Sequence, residues 1–366
     1  MTSGLARVIK NTAETIYAVP GYPITPLIEE TGAELVINEK VALEYALGDS
    51  LCGKRSCVLV KHVGMNVLAD TLVHATAQGL HAGVVVVVGD DPLAQGSQVV
   101  QDCRYYGVLA ACPVIELVSS DSINEAFCVS EQFSRVSILP IVPDDLQRPM
   151  QDLPHKAGMS RSGSLADPDC TMYGRAVRAY ASVPDMIKAG YLPYPIAPLN
   201  PDAAPVSRSK RGRSRGLCAG CPFQSLFDHL QERRISVISD TGCSLISMFP
   251  PYSFGLANYG MGSSVGVASH STGVALIGDY ALLHSGIQAL MDLHAKGHPV
   301  LCIVLQNRCM GTTGRQPVPE ILPYVAFADP VVCIASEHDK ISGLLVPGTK
   351  LRVIVIQGAC PEEGCI

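Results

Sequence analysis

Two polar residues, Asp279 and Asn307, each follow an apolar stretch that the sequence predicts to be a β-strand. The strands are Val274–Ile277 and Pro299–Leu305, and a helix is predicted between them over Ala281–Ala295. In such a strand–helix–strand unit the strands are parallel neighbours, so both side chains lie at the carboxyl ends of adjacent strands, where open α/β sheets bind ligands. A carboxylate, an amide oxygen and a nearby backbone carbonyl suit Mg²⁺, which usually carries a diphosphate when it is held this way. The helix N-terminus beside Asp279 adds amide donors for the same anion.

The spacing between the Gly278-Asp279 pair and Asn307 resembles the thiamine diphosphate signature. A Gly-Asp pair by itself is common, and the alternative interpretation is a turn at the end of a strand. The second anchor and the elements between the two anchors favour the cofactor interpretation. Tyr280 departs from the motif, because many thiamine enzymes have a small residue there.

The composition narrows the class of protein. A length of 366 residues predicts two domains, and 48% hydrophobic residues is typical of a soluble α/β protein. No apolar run reaches the length of a membrane span and no secretion signal opens the sequence, so we expect a cytoplasmic protein with no membrane partner. A net charge of −6 gives no sign of a nucleic-acid partner, and the basic run Ser207–Arg215 is interpreted as a solvated linker rather than a binding patch.

Residues up to about 150 alternate predicted helices and strands, which is a doubly wound α/β pattern. A loop with three prolines, Pro20–Pro26, follows the first strand, and rigid loops at that position commonly carry function. Asn38 is predicted to cap a helix whose first residue is Glu39, and taken alone this glutamate is an electrostatic cap. Pro113–Leu117 and Val136–Pro143 are predicted to be further strands.

The fourteen cysteines are not expected to form a disulfide scaffold, because nothing in the sequence indicates secretion. Cys218 and Cys221 form a CxxC pair, which by itself is consistent with zinc or with redox chemistry. Cys243 follows a predicted strand, and Cys360 follows the last predicted strand, Arg352–Ile356. Most of the other cysteines are interpreted as buried thiols.

A series of short motifs runs along the chain and covers residues 5–120 and 216–360. They are the segments 21–26 (GYPITP), 38–44 (NEKVALE), 61–66 (KHVGMN), 90–92 (DDP), 101–106 (QDCRYY), 218–222 (CAGCP), 240–243 (DTGC), 278–279 (GD) and 307–317. With these motifs the chain resembles the thiamine diphosphate-dependent 2-oxoacid:ferredoxin oxidoreductases, and among them a shortened form of the alpha subunits of the indolepyruvate enzymes. The motifs are highly specific for this superfamily and much less specific for the substrate.

The resemblance implies two doubly wound, parallel-sheet α/β domains: a pyrimidine-binding domain over residues 1–150 and a diphosphate-binding domain over 216–366. An irregular linker over 151–215 joins them. In such enzymes thiamine diphosphate lies between the two kinds of domain, usually across a subunit interface, so we expect a homodimer or a heteromer.

The resemblance implies two catalytic residues in the first domain. Glu39 matches the glutamate that hydrogen-bonds the aminopyrimidine and takes part in its proton relay. Thr25 matches a threonine that contacts the substrate. Lys61, His62 and Asn66 either face the same cleft and contact the substrate or are structural polar residues.

In the second domain the resemblance implies that Asp279, Asn307 and the backbone carbonyl of Cys309 bind Mg²⁺. Gly262 and Ser263 either bind the diphosphate or are small residues that allow tight helix packing. The remaining residues expected at the cofactor are Gly278 and Thr313, the latter on the wall of the active site.

The resemblance also implies that four cysteines hold a [4Fe–4S] cluster beside the thiamine. These are Cys218, Cys221, Cys243 and Cys360, and Cys365 is a competing fourth ligand. A structural zinc is the alternative, because tetrahedral Cys₄ suits zinc equally well.

The expected activity is oxidative decarboxylation of a 2-oxoacid, with coenzyme A as acyl acceptor and electrons passing through the cluster to ferredoxin or a partner subunit. The indolepyruvate enzymes carry further domains that this sequence does not show, so electrons are expected to leave the single cluster directly. Two alternatives stay open: a non-oxidative thiamine diphosphate-dependent decarboxylase or carboligase, and a non-catalytic cofactor-binding subunit.

Overall fold

The computed structural model of the protein describes residues 3–151, 163–165, 179–192, 216–312 and 315–361. These residues fall into two units, one containing the described residues up to 192 and the other those from 216 onward. Most of the linker predicted over 151–215 lies outside the described residues.

The first unit is built on a five-stranded sheet whose paired strands are all parallel. Its strands, in chain order, are β1 (Thr15–Ala18), β2 (Glu34–Leu35), β3 (Ser56–Lys61), β4 (Val84–Gly89) and β5 (Ser137–Ile141). The order across the sheet is β2-β1-β3-β4-β5. This order changes direction between β1 and β3, and the crevice beyond the carboxyl ends of two such strands is where open α/β sheets bind ligands.

Helices cover both faces of this sheet. They are α1 (Gly4–Thr12), α2 (Thr25–Thr31), α3 (Glu39–Leu51), α4 (Met65–Gln78), α5 (Tyr105–Ala110), α6 (Asp121–Phe133) and α7 (Val183–Lys188), with 3₁₀ turns at His62–Gly64 and Pro143–Gln147. Alternate strand residues such as Cys57 and Leu59 share one hydrophobic core with α1, α2 and α6. Helix α3 packs against β1 and β3 from the other side, and Asn38 caps it by accepting the Val41 N–H at 2.9 Å.

The prediction of a strand over Pro113–Leu117 is wrong. Val114 makes only an isolated parallel bridge to Ile138, in which the Ile115 N–H donates to the Ile138 carbonyl at 2.9 Å and the Ile138 N–H donates to the Pro113 carbonyl at 2.8 Å. Pro113 has no N–H to give to a ladder. The segment therefore touches the edge of the sheet once without joining it.

The second unit is built on a six-stranded sheet, again with parallel pairing throughout. Its strands are β6 (Val237–Ser239), β7 (Gly255–Ala257), β8 (Val274–Gly278), β9 (Leu301–Gln306), β10 (Val331–Ile334) and β11 (Arg352–Gln357). The order is β10-β11-β9-β8-β6-β7, so the sheet changes direction between β6 and β8. Strands β8 and β9 are parallel neighbours, as the sequence predicts.

The helices of this unit also lie on both faces. They are α8 (Gln224–Glu232), α9 (Ser264–Ser269), α10 (Asp279–Ala281), α11 (Ile287–Lys296), α12 (Leu322–Val325) and α13 (His338–Leu344), with 3₁₀ turns at Cys243–Met248 and Ala326–Ala328. A π-helical turn, Leu282–Gly286, joins α10 to α11. Helices α8 and α13 share a hydrophobic core with one face of the sheet, and α9 packs on β8.

The fold class predicted from the sequence, two α/β domains with parallel sheets, is therefore confirmed. Among the described residues no helix combines the length and the apolar character needed to cross a membrane.

A buried ion pair in the first unit offers a test of its packing. Arg55 donates to both carboxylate oxygens of Glu131 at 2.8 and 2.7 Å, and both side chains are almost fully buried. Arg55→Met leaves the Glu131 carboxylate buried without its cation, so the free energy of unfolding in urea should fall by about 3–5 kcal/mol. Lys340→Met is the control, because its pair with Glu337 is exposed and is worth about 0–1 kcal/mol. Equal losses in the two variants would contradict this account.

Candidate functional site

A cavity of about 210 Å³ opens in the second unit where β6, β8 and β9 end. This is the place where the strand order changes direction, and the polar residues that follow these strands meet there. Its lining is Phe223, Thr241, Gly242, Cys243, Met261, Gly278, Asp279, Tyr280, Ala281, Leu305, Asn307, Met310, Gly311 and Thr312.

Asp279 is buried at the start of α10, at the edge of this cavity. One carboxylate oxygen accepts the Tyr280 N–H at 2.8 Å, and the other accepts the Arg308 N–H at 2.7 Å. Burial raises the pKa of the Asp279 carboxyl, while these backbone donors act in the opposite direction. A cation in the cavity would favour the ionised carboxylate, and each oxygen keeps lone-pair capacity for it.

Asn307 follows β9 and lines the same cavity as Asp279. Its Oδ1 accepts the Cys309 N–H at 3.3 Å, and its Nδ2 donates to Cys360 Sγ at 3.1 Å. The Asp279–Arg308 hydrogen bond fixes the backbone next to Asn307. The structure therefore brings together the carboxylate and the amide that the sequence predicts as Mg²⁺ ligands.

Cys309 begins a narrow loop in which Arg308 and Val318 are joined by a backbone hydrogen bond. Its carbonyl accepts the Gly311 N–H at 3.0 Å, so one of its two lone pairs is used within the loop. Its neighbours Met310 and Gly311 line the cavity, whereas Cys309 does not. Its role as a third Mg²⁺ ligand stays a prediction, and Thr313 lies outside the described residues.

A fully buried carboxylate, Asp240, ties two wall segments of the cavity together. It accepts the N–H groups of Thr241 at 2.9 Å, Gly262 at 2.8 Å and Ser264 at 3.0 Å. Burial raises the pKa of the Asp240 carboxyl, and the backbone N–H groups of Gly262 and Ser264 act against that rise. Asp240 belongs to the motif at 240–243, but the sequence analysis assigns it no role. Its position directly after a buried strand, like that of Asp279, was the feature that could have predicted one.

The amide of Gly262 and the hydroxyl of Ser263 are both used inside the chain. The Gly262 N–H donates to the Asp240 carboxylate, and the Ser263 hydroxyl donates to the Gly260 carbonyl, each at 2.8 Å. Gly262 has φ +81°, and a Cβ there would stand 2.5 Å from the Gly286 nitrogen. These contacts support close packing of the turn against the π-helical turn, and a role in binding diphosphate stays a prediction.

The four predicted cluster cysteines lie on three segments of the second unit. Cys243 lines the cavity together with Phe223, which follows the CxxC pair. A Cβ on Gly358 would stand 2.7 Å from the Pro222 Cβ, so the segment leading to Cys360 lies against the CxxC loop. Yet within the described part of the chain no group of three or more His, Cys, Asp or Glu side chains is gathered as a metal-ligand set.

In the first unit Glu39 is the first residue of α3 and lies against Gly64. A Cβ on Gly64 would stand 2.5 Å from Glu39 Oε1 and 2.7 Å from its Cγ. Any side chain at position 64 would therefore require the Glu39 carboxylate to shift.

The proline-rich loop after β1 is closed by Thr25. Its hydroxyl donates to the Gly21 carbonyl and accepts the Gly21 N–H, each at 3.1 Å. A Cβ on Gly21 would stand 3.1 Å from the Lys61 Cβ, so the loop lies beside the end of β3. Since the hydroxyl proton of Thr25 is already used in the loop, its contact with a substrate stays a prediction.

His62 is completely buried, and both its ring nitrogens face backbone carbonyls, Gly89 O at 3.3 Å and Val99 O at 3.1 Å. Asn66 bonds Gln101 at 3.0 Å and also the Tyr106 hydroxyl. Between the two open alternatives, these contacts favour structural polar residues that hold the segment around residue 100. The pairing with Gln101 and Tyr106 could not be read from the sequence, because it depends on how a long loop folds.

Comparisons with known proteins agree with this geometry. Residues 240–330 match the C-terminal TPP binding domain of thiamine pyrophosphate enzymes, a stretch that includes Asp240, Asp279 and Asn307. The chain is similar in structure to a thiamine diphosphate-dependent 4-hydroxybenzoylformate decarboxylase from Rhodococcus jostii, with a TM-score of 0.64 at 14% identity over 98% of this chain and 99% of that one. A Mycobacterium smegmatis structure described as a thiamin diphosphate-dependent enzyme gives a TM-score of 0.63 at 13% identity, with 98% of each chain covered. The fold is that of thiamine diphosphate-dependent enzymes.

The sequence relatives are more specific. The chain is 39% identical over 138 residues to the indolepyruvate oxidoreductase subunit IorA of Archaeoglobus fulgidus, a match of 37% of this chain and 21% of that protein. The IorA of Methanothermobacter marburgensis is 42% identical over 110 residues, or 29% of this chain and 18% of the relative. The chain thus spans only about a fifth of the length of these relatives. The resemblance to thiamine diphosphate-dependent oxidoreductases of the indolepyruvate type is confirmed.

The contact between Gly64 and Glu39 can be tested directly. Gly64→Ala should displace the Glu39 carboxylate, because the new methyl group would overlap it, while the fold stays intact. A crystal structure of the variant would show the displacement, and calorimetry should show weaker thiamine diphosphate binding. Gly343→Ala is the matched control, since it lies in α13 with nothing within 4 Å, and it should be neutral or stabilise by up to about 1 kcal/mol. An unmoved Glu39 side chain in the Gly64→Ala crystal structure would contradict the proposed contact between the two residues.

Proposed function

We propose that the protein binds thiamine diphosphate with Mg²⁺ and takes part in the oxidative decarboxylation of a 2-oxoacid. Electrons would leave through a [4Fe–4S] cluster to ferredoxin or a partner subunit. The observation that carries this proposal is the meeting of Asp279, Asn307 and Cys360 where three strands of one sheet end.

The donor set at the cavity fits a magnesium diphosphate. Asp279 and Asn307 both line the cavity, and their carboxylate and amide oxygens are hard ligands of the kind that Mg²⁺ prefers. Apolar side chains such as Phe223, Met261 and Met310 form much of the remaining lining, which suits the uncharged rings of a cofactor or substrate. Tyr280 also lines the cavity.

Glu39 would serve the aminopyrimidine end of the cofactor. Among the described residues its carboxylate accepts no hydrogen bond, which leaves it able to accept one from a ring nitrogen or amine. Gly64 fixes where that carboxylate can lie. When bound, thiamine diphosphate would supply a carbon nucleophile for the 2-oxo carbon and an acceptor for the electron pair that the broken C–C bond leaves behind.

The relatives named IorA are subunits of an indolepyruvate oxidoreductase, and this motivates three further parts of the proposal. The substrate is a 2-oxoacid, with coenzyme A as the acyl acceptor. The protein works with a partner subunit or as a homodimer. Cys218, Cys221, Cys243 and Cys360 supply the cluster thiolates, since their segments converge beside the cavity.

One observation favours a second candidate function. In the described part of the chain no set of three or more His, Cys, Asp or Glu side chains is gathered as a metal-ligand set. A non-oxidative decarboxylase or carboligase needs no iron–sulfur cluster and therefore no such set. The two functions differ in iron content.

The cofactor site is tested by removing its carboxylate. Asp279→Ala should weaken calorimetric binding of thiamine diphosphate with Mg²⁺ by at least about 100-fold, because losing even outer partners of a metal ligand costs about 10–100-fold. Asp339→Ala removes an exposed carboxylate of the same unit and should bind like wild type. Unchanged affinity in Asp279→Ala would refute the site.

The redox role is tested by metal analysis of protein purified without oxygen. Oxidative chemistry requires roughly four irons and four sulfides per chain, and a reduced-cluster EPR signal should appear with thiamine diphosphate, Mg²⁺ and one 2-oxoacid of a panel. If the purified protein contains zinc or no metal, the oxidative function is refuted and the non-oxidative decarboxylase or carboligase becomes the proposed function.

A further inference from the structure

The carboxylate of Glu320 accepts hydrogen bonds from the residues on both sides of Asn307. One oxygen accepts a proton from Gln306 Nε2 at 2.6 Å, and the other accepts one from Arg308 Nη2 at 2.6 Å. Gln306 is almost completely buried at the end of β9, whereas the Arg308 and Glu320 side chains are 61% and 39% exposed. A single carboxylate thus holds both chain neighbours of an expected Mg²⁺ ligand.

The partners of Glu320 are themselves anchored in the unit. Gln306 Oε1 accepts a proton from Gln357 Nε2 at 2.8 Å, across the ladder between β9 and β11. The carboxylate oxygen that binds Gln306 also accepts the Leu322 N–H at the start of α12, at 3.3 Å. A chain of hydrogen bonds therefore runs from β11 through Gln306 to Glu320, and from there to Arg308.

Arg308 has a backbone conformation that needs support from its surroundings. Its φ is +58°, in the left-handed region that side-chain-bearing residues disfavour. In this conformation its N–H donates to Asp279 at 2.7 Å and its carbonyl accepts the Val318 N–H at 3.0 Å. Such a conformation persists when several contacts determine it together, and the ion pair with Glu320 adds a contact through the side chain.

We propose that Glu320 is a positioning residue for the cofactor cavity: by holding Gln306 and Arg308 it fixes Asn307 between them and keeps the Arg308 N–H on the Asp279 carboxylate. This inference rests on the proposed function, in which Asp279 and Asn307 bind Mg²⁺. Glu320 is not among the described residues that line the cavity. It acts only through its neighbours, as the outer partners of metal ligands do.

The arrangement requires a carboxylate and not merely a polar side chain. Gln306 and Arg308 both approach Glu320 with N–H donors. A carboxylate accepts on both oxygens, whereas an amide of the same size accepts on one side and presents its own N–H groups on the other. Glu320→Gln therefore keeps the size of the side chain but loses one of the two contacts, together with the charge that pairs with Arg308.

The first test needs no cofactor. Hydrogen exchange of the Arg308 amide, resolved by mass spectrometry with fragmentation, reports on the hydrogen bond to Asp279. In full-length Glu320→Gln this amide should exchange roughly tenfold faster than in wild type, because the contact that holds Arg308 is lost. The midpoint of urea unfolding should stay close to that of wild type, since the Glu320–Arg308 pair is largely exposed.

The second test measures the consequence for the cofactor. Calorimetric binding of thiamine diphosphate with Mg²⁺ to Glu320→Gln should weaken by about 10–100-fold, the usual cost of losing an outer partner of a metal ligand. The loss should become smaller as the Mg²⁺ concentration is raised, because the defect lies in the metal ligands and mass action offsets it. A merely structural defect would not respond to Mg²⁺ in this way.

Two further variants control for the chemistry of the substitution. Glu337→Gln makes the same change in a side chain that is also 39% exposed and that pairs with Lys340 away from the cavity. It should match wild type in amide exchange at Arg308 and in affinity. Arg308→Met removes the ion pair from its other side and should reproduce both effects of Glu320→Gln.

The outcomes separate this inference from the proposed function. Wild-type exchange at residue 308 in both Glu320→Gln and Arg308→Met would overturn the positioning role and leave the proposed function standing. Faster exchange in Glu337→Gln of the same size would assign the effect to a general loosening of the unit and likewise overturn it. Wild-type protein that binds no thiamine diphosphate with Mg²⁺ would overturn the proposed function, whereas the exchange experiment would still decide whether Glu320 holds Arg308 on Asp279.

Discussion

The common polarity of the parallel strands is the constraint on which the second unit depends. Every strand of a parallel sheet ends at the same edge, so residues far apart in sequence meet there without any direct attraction between them. Asp240, Asp279 and Asn307 follow β6, β8 and β9, and Cys360 follows β11. Burial of the apolar strands is therefore what assembles the polar site.

A single buried carboxylate, that of Asp240, holds together the segments that line the cavity. Asp240 accepts three backbone N–H groups, from Thr241 on one wall segment and from Gly262 and Ser264 on another. A desolvated carboxylate is costly unless donors surround it. The two segments are consequently held in the one arrangement that satisfies Asp240, and Met261 and Gly242 reach the cavity as a result.

The parts of the molecule that sequence reasoning predicted well are those set by local pattern. Apolar runs that end in Gly278-Asp279 and before Asn307 fix both the strands and the side chains that follow them. Pro113–Leu117 has the same apolar character but forms only one bridge, through the Pro113 carbonyl and the Ile115 N–H. The proline at its start has no N–H with which to extend the ladder. A local pattern also carries no information about contacts between distant segments, such as the one between Gly64 and Glu39, which depends on the approach of two helix starts.

Polar residues that looked alike in the sequence separate once their hydrogen bonds are counted. His62 and Ser263 are completely buried, and their side-chain hydrogen-bonding groups are engaged by the backbone of their own unit. Thr25 uses its only proton inside its own loop. Asp279 and Asn307 instead line a cavity, and their oxygens keep lone pairs beyond the backbone N–H groups that they accept. A polar group already satisfied by the fold costs free energy to redirect toward a ligand, whereas a held group with remaining capacity does not. By this criterion Asp279 and Asn307 keep capacity for a ligand, whereas both ring nitrogens of His62 are engaged by the backbone of the first unit.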